Sequence, residues 1–335
     1  MSSRSPRLTH RSVLSWLDSS AGETAATDAG LVGIDWIRLV PFALLHLVCL
    51  GVIWVGWSPI AVGVALAMYA IRMVFLTSFY HRYFSHRTFQ TSRLGQFVFA
   101  ILGNMAVQKG PLWWAAHHRR HHRYSDQEGD PHSPILYNFF YSHMGWILMR
   151  SACPTDVAAI PDLHKYPELR LLNRFDTAVP ILLASALFGL GALLEWQAPG
   201  LGTTGGQMLI WGFFISTIML FHGSVMINSV AHLIGRRRFA TTDKSRNSFG
   251  LALLTMGEGW HNNHHYYQGS ARQGFYWWEI DVSYYFLRTL GALGIIWDIH
   301  PVPASVLALG ARRKRAPESR PAGFRPSIPR VEPTP

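Results

Sequence analysis

Residues 59–86 read PIAVGVALAMYAIRMVFLTSFYHRYFSH, an apolar run over 59–79 with one interior cation, Arg72, followed by two histidines five positions apart, His81 and His86. A bilayer core takes about 20 mostly apolar helical residues, so residues 59–79 predict a membrane span with imidazoles at its end. Three further stretches match it in length and character: 39–57, 178–196 and 207–227. The first two spans nearly abut at Trp57-Ser58-Pro59. Two shorter apolar runs, 94–107 and 284–297, are flanked or interrupted by Arg93, Lys109 and Arg288 and read as interfacial or packed helices.

Composition points the same way. Hydrophobic residues make up 49% of the chain and charged residues 15%, against about a quarter charged in an ordinary soluble domain. Cys49 and Cys153, the only cysteines, cannot build a disulfide framework or a thiolate cage, so any metal needs other ligands. The formal charge of +11 is spread over loops and the C-terminal end without a nucleic-acid motif, which excludes nucleic acid as partner and fits a membrane surface.

Lys and Arg number four before the first span, eleven between the second and third, and fourteen after the fourth, with none in the two short connections. The positive-inside rule then puts both termini and the central loop in the cytosol. Residues 1–38 read as a cytosolic N-terminal segment with no cleaved leader, residues 39–300 as the functional domain, and residues 301–335, rich in Arg and Pro, as a disordered basic tail.

Of 17 histidines, most fall in clusters just beyond a span or in the central loop. After the His81 to His86 stretch come His118-Arg119-Arg120-His121-His122 and His261-Asn262-Asn263-His264-His265, both of the form H-x-x-H-H. On an α-helix, positions i, i+3 and i+4 share a face, so each of these two predicts three imidazoles aimed at a common point. His81 and His86 lie about 140° apart round an α-helix, which assigns them to two different metals. Asn228 and His232, one turn apart beyond the fourth span, face the same pocket, His232 as a ninth histidine ligand and Asn228 as a direct or water-mediated one. The set His81, His86, His118, His121, His122, His232, His261, His264 and His265 is too large for one ion and sufficient for two. Parity requires that residues 94–107 not cross, or the first two clusters would end on opposite faces. Asp126, Asp130 and Glu258 are placed to orient ligand imidazoles, with His132 and His117 as further supports. His46 and His222, within spans, read as buried, hydrogen-bonded neutral rings. The fold expected is all-α integral membrane, four transmembrane helices with a cytosolic helical cap that carries the two-metal site.

These residues, in this order, resemble the membrane fatty acyl desaturase family over roughly residues 35–300. His81 to His86, His118 to His122 and His261 to His265 match its three histidine boxes. The match extends to Gly129-Asp130-Pro131-His132, Asn228-Ser229-Val230-Ala231-His232 and Gly257-Glu258-Gly259-Trp260. The resemblance implies two iron ions (Fe2+) and no catalytic side chain beyond their ligands. It further implies O2 and two electrons as co-substrates, and a cis double bond set into a long saturated acyl chain, between carbons 9 and 10. Trp113, Trp114, Trp260, Trp277 and Trp278 are candidate walls for the acyl tail. The family's animal acyl-CoA members carry Trp-x-Arg-Asp before the second box, where this chain has Trp114-Ala115-Ala116-His117, and of a later Arg-Lys pair only Arg150 is present. The carrier is therefore open among acyl-CoA, acyl-lipid and a carrier-protein thioester. No haem or flavin domain is recognised, so a ferredoxin, a rubredoxin or a cytochrome b5-like donor with its reductase is expected to supply electrons. The resemblance places the chain in a bacterial inner membrane with the active site in the cytosol. The alternative within the same chemistry is a di-iron hydroxylase of acyl or alkyl chains. A zinc hydrolase would show H-E-x-x-H, which is absent, and a metal transporter would carry its ligands along the spans.

Overall fold

The computed structural model describes residues 10–28 and 30–313. Among these, four helices are long and apolar enough to cross a membrane: Trp36–Val55, Pro59–Ser85, Ala178–Gln197 and Gly205–His232. Helix Arg93–Asn104 is not one of them. The first two starts have local causes. Asp35 accepts from the amides of Ile37 (3.1 Å) and Arg38 (3.3 Å). The reversal into the second span uses Gly56 at φ 67, Ser58, whose Oγ accepts from Ala61 N at 3.1 Å, and Pro59 in the first turn. The third and fourth spans approach closely at Gly191, where a Cβ would stand 2.5 Å from the Thr204 carbonyl oxygen.

The second and fourth helices run further than their apolar stretches suggest, through Ser85 and His232. Their polar ends continue as helix because they are buried against other protein: His81 is 4% exposed and His232 1%. From Leu76 to Ser85 the winding is π-helical, and the His86 amide donates to the His81 carbonyl at 3.3 Å. Such wide turns concentrate at functional sites.

Arg72, fully buried in the second span, donates to Met68 O and Met105 O (both 3.2 Å), Thr217 Oγ1 (2.8 Å) and Ser216 Oγ (2.6 Å). An intramembrane cation needs such partners, and these fasten the second span to the fourth and to the end of helix Arg93–Asn104.

Helix Pro111–Tyr124 packs on the π-helical segment. Arg119 holds the two together by donating to Phe84 O and Ser85 O, each at 2.9 Å, and to Asp162 Oδ1 at 2.6 Å. The third histidine cluster opens the short helix His261–Tyr266, whose residues 261–265 are all buried.

Two expectations need correction. The chain is not purely α-helical, since Gln90–Thr91 pairs antiparallel with Ile296–Trp297, which ends the helical part of the 284–297 run at Ala292. The tail is not wholly irregular either, for Ala304–Arg313 is a helix anchored by Tyr276 Oη donating to Leu307 O at 2.7 Å. Residues 314–335 lie outside the described residues.

Candidate metal centre

The nine histidines named above converge as two adjoining groups. His81, His86, His118, His122 and His264 form one, and His121, His232, His261 and His265 the other, the ligand atoms of each lying within 4.8 Å of one another.

The partition differs from the expectation in two respects. His81 and His86 share a group, with ring centroids 4.9 Å apart. The cause is the π-helical winding, whose i→i+5 bonding stacks residues that an α-helix would splay apart. Each H-x-x-H-H stretch is also divided, His118 and His122 from His121, and His264 from His261 and His265. Adjacent helical residues diverge by about 100°, so one helix face borders both groups when they sit side by side.

In the first group, Nε2 atoms stand 3.0 Å apart for His81 and His264, 2.9 Å for His264 and His122, 2.9 Å for His122 and His118, and 2.8 Å for His118 and His86. In the second, the His232 and His261 Nε2 atoms are 3.0 Å apart. Carboxylates on the outer nitrogens fix the ring orientation. His121 Nδ1 meets Asp130 at 3.0 Å, His232 Nδ1 meets Asp126 at 2.8 Å, His265 Nδ1 meets Asp243 at 2.9 Å, and His81 Nδ1 meets Glu258. A ring that donates Nδ1–H outward presents a bare Nε2 lone pair inward. Lone pairs opposed at these distances repel unless a cation lies between them, and nitrogens at right angles round an ion at about 2.1 Å stand about 3 Å apart. His265 Nε2, His122 Nδ1 and His261 Nδ1 are buried without a hydrogen-bond partner. The residues therefore fit two imidazole-ligated metal ions.

Burial, reinforced by neighbouring imidazoles, pushes His86, His118, His122, His261 and His264 well below the ordinary histidine range. Burial likewise lowers His265 to about 4, against the opposing pull of Asp243. Burial raises Asp130 and Asp243, but their histidine partners outweigh it and hold both below the usual carboxylate range.

Asp243 and Arg82 carry no signal in the sequence. Asp243 lies on an irregular stretch outside every histidine cluster. Arg82, 1% exposed, donates to Glu258 Oε1 (3.1 Å), Asp281 Oδ2 (3.1 Å) and Ala271 O (2.9 Å), locking the carboxylate behind His81. Gly257, at φ +127, leaves room for this cluster, since a Cβ there would run into Asp281.

A cavity of about 330 Å³ borders the first group at His118 and extends along Trp113, Trp114, Phe42 and Phe221. Asn228 and His132 line it. His132 also stacks on His121, ring centroids 4.3 Å apart. His117, whose Nδ1 donates to Trp113 O at 3.0 Å, is a wall residue. Gln108 donates to Ser224 Oγ at 2.6 Å across the cavity. Trp260 and Arg150 do not line it. The Trp260 indole donates to Ile280 O at 2.8 Å, and Arg150 donates to Val32 O at 3.2 Å. Trp277 is 82% exposed. His46 Nδ1 donates to Phe42 O at 2.8 Å, and His222 Nδ1 lies 3.0 Å from His143 Nε2.

Four apolar helices of membrane-spanning length, two histidine cages that fit metal ions and a largely apolar cavity beside one cage make up this architecture. The fatty acid desaturase family model matches residues 55–292. An sn-1 stearoyl-lipid 9-desaturase of Anabaena variabilis is 34% identical, covering 79% of this chain and 94% of the relative. An acyl-CoA 5-desaturase of Anemone leveillei is 36% identical over 81% of both chains. A chloroplastic palmitoyl-monogalactosyldiacylglycerol delta-7 desaturase of Arabidopsis thaliana is 35% identical, covering 71% of this chain and 62% of the relative. The chain belongs to the fatty acid desaturase family and is an oxidoreductase of fatty acyl chains.

Proposed function

We propose that the protein is an O2-dependent desaturase of a long saturated acyl chain held as acyl-lipid or acyl-CoA, with its double bond between carbons 9 and 10. The observation that carries this reading is the cavity lined by Trp113, Trp114, Phe42 and Phe221 that meets a histidine cage at His118. The 9-desaturase of Anabaena variabilis supports the position and the lipid carrier, while the acyl-CoA 5-desaturase keeps the thioester in view.

The nine cage histidines would hold two iron ions, with Asn228 a direct or water-mediated ligand. Iron bound there supplies, from O2 and two electrons, the oxidant that removes hydrogens from unactivated methylenes. The chain's own residues set where that happens. Asp130, Asp126, Asp243 and Glu258 hold four imidazoles with Nε2 facing inward. Trp114 stacks on His118, ring centroids 4.9 Å apart, and forms a flat wall at the cage. The apolar lining binds the methylene chain and keeps water out. A ferredoxin, a rubredoxin or a cytochrome b5-like protein delivers electrons at the cytosolic face of a bacterial inner membrane.

Expression in a host lacking its own desaturase, followed by mass-spectrometric fatty acid profiling with His121→Ala as control, tests the reading. A monounsaturated product absent from the control is expected. A hydroxylated product would assign the chain to hydroxylation instead.

A further inference from the structure

Residues 131–149, which follow the Asp130 that orients His121, contain no Lys, Arg, Asp or Glu. Their middle is exposed and apolar: Ile135, Leu136, Tyr137, Phe139 and Phe140 all face outward, Phe140 at 76% exposure. An apolar run exposed in this way marks an interaction surface. It continues onto the membrane spans. The short helical turn Tyr141–Gly145 packs on the fourth span, and Trp146–Leu148 packs on the first. Ser142 Oγ donates to Asn228 O at 3.0 Å, while His143 meets Ser229 Oγ through Nδ1 (2.9 Å) and His222 Nδ1 through Nε2 (3.0 Å).

These contacts set its depth. From Trp36 to His46 the first helix climbs about 15 Å at the helical rise, half the thickness of a bilayer core. His46 and His222 lie side by side with ring centroids 5.5 Å apart, and His143 stacks on His222 at 5.3 Å, one ring removed from that level. The chain then returns, for Leu148 O accepts from Asp35 N at 2.7 Å just ahead of the first span. Backbone that enters a bilayer without crossing it is tolerated where protein or a cavity receives it. Here the fourth span receives Ser142 and His143, while Trp146, Ile147 and Leu148 line the cavity.

The first and fourth spans touch at Phe42 and Phe221, ring centroids 5.4 Å apart, and at His46 and His222. On the cytosolic side of those contacts Tyr141–Leu148 packs on both helices and walls the cavity. The outward rings continue the lipid-facing surface of the spans, and a stretch without a formal charge is what a hydrocarbon environment demands. We infer that residues 135–148 dip into the cytosolic leaflet as a re-entrant element, and that the cavity takes its apolar chain from that leaflet past this wall. The substrate this route names rests on the desaturase reading above: an acyl chain held by a membrane lipid, not a thioester dissolved in the cytosol.

Two experiments test the inference, and neither needs turnover, so its failure is distinguishable from failure of the desaturase reading. In the first, Phe140→Cys, Glu128→Cys in an exposed turn of the cap and Leu182→Cys on the exposed face of the third span are made in a Cys49→Ser, Cys153→Ser background. Each carries a nitroxide in phosphatidylcholine vesicles, where its collisions with O2, which concentrates in lipid, are compared with those of a water-soluble nickel chelate. The label at Phe140→Cys should match that at Leu182→Cys, with O2 dominant. A nickel response like that of Glu128→Cys overturns the insertion. The second experiment uses the unaltered full-length protein in vesicles of phosphatidylcholine whose acyl chain carries a diazirine. After illumination, peptide mass spectrometry should find label at Phe139 and Phe140 on the outer face and at Trp113 and Trp146, which are buried in the cavity wall. Methyl stearate added to the vesicles should lower the cavity label several-fold and leave the outer label unchanged. Label confined to the four spans overturns the insertion. Outer label with none at Trp113 or Trp146, or cavity label that methyl stearate does not displace, overturns entry from the leaflet.

Discussion

His81 and His86 face each other in one cage with ring centroids 4.9 Å apart, although an α-helix would turn them about 140° from one another. The π-helical stretch Leu76–Ser85 makes the difference. It brings the first histidine pair into a single cage and leaves the second cage to histidines from three other segments.

That division predicts that the two ions can be removed separately. His264→Ala alters only the cage of His81, His86, His118 and His122, and His265→Ala only that of His121, His232 and His261. The parent protein should carry about two irons per chain by plasma mass spectrometry, and each variant about one. Loss of both irons from either single variant would show that the cages do not fill independently.

Asp243→Asn should weaken the second cage without touching a ligand. The carboxylate 2.9 Å from His265 Nδ1 fixes the ring with Nε2 inward. Replacing such an outer partner costs roughly 10–100-fold in metal affinity. Competition with a chelator of known affinity measures the change. Unaltered iron retention would remove Asp243 from this role.

Arg82→Met should destabilise the fold strongly, because it leaves Glu258 and Asp281 buried without their cation. Breaking a buried ion pair costs about 3–5 kcal/mol. The melting temperature in detergent should fall well below that of the parent, and a shift of only a degree or two would contradict the geometry.

Acid should destabilise the metal-free protein. Burial holds His265 and His117 at about 4 in the folded chain, against an ordinary value of 6.5. Between these values the unfolded chain binds protons that the folded chain refuses, so stability falls as pH drops from 6.5 toward 4. The depressed carboxyls of Asp130 and Asp243 add a loss in the same direction at lower pH, below their ordinary value of 3.8. Thermal melts of the metal-free protein at several pH values should show this slope, and a flat profile would count against neutral buried imidazoles.

The sequence revealed these features unevenly, for physical reasons. Apolar runs of bilayer length and imidazole clusters at their ends are properties of residue type and spacing, so four spans and nine cage histidines could be read directly. The sharing of those histidines between two positions could not, because it rests on the local winding at Leu76–Ser85. Asp130 and Glu258 lie beside histidine motifs and stood out, whereas Asp243 reaches His265 across 22 residues from an irregular loop. Trp260 illustrates the converse. It adjoins the third histidine cluster in the sequence, yet its indole donates to Ile280 O and leaves the cavity to Trp113 and Trp114.

Neither cage can be assembled from a contiguous piece of this chain. The first draws on the end of the second span, helix Pro111–Tyr124 and helix His261–Tyr266, and the second replaces the span's contribution with His232 at the end of the fourth. A nascent chain offers no complete set of ligands until its last histidine box has been made and has docked. Each cage thus exists only in a chain whose contributing segments have already packed against one another.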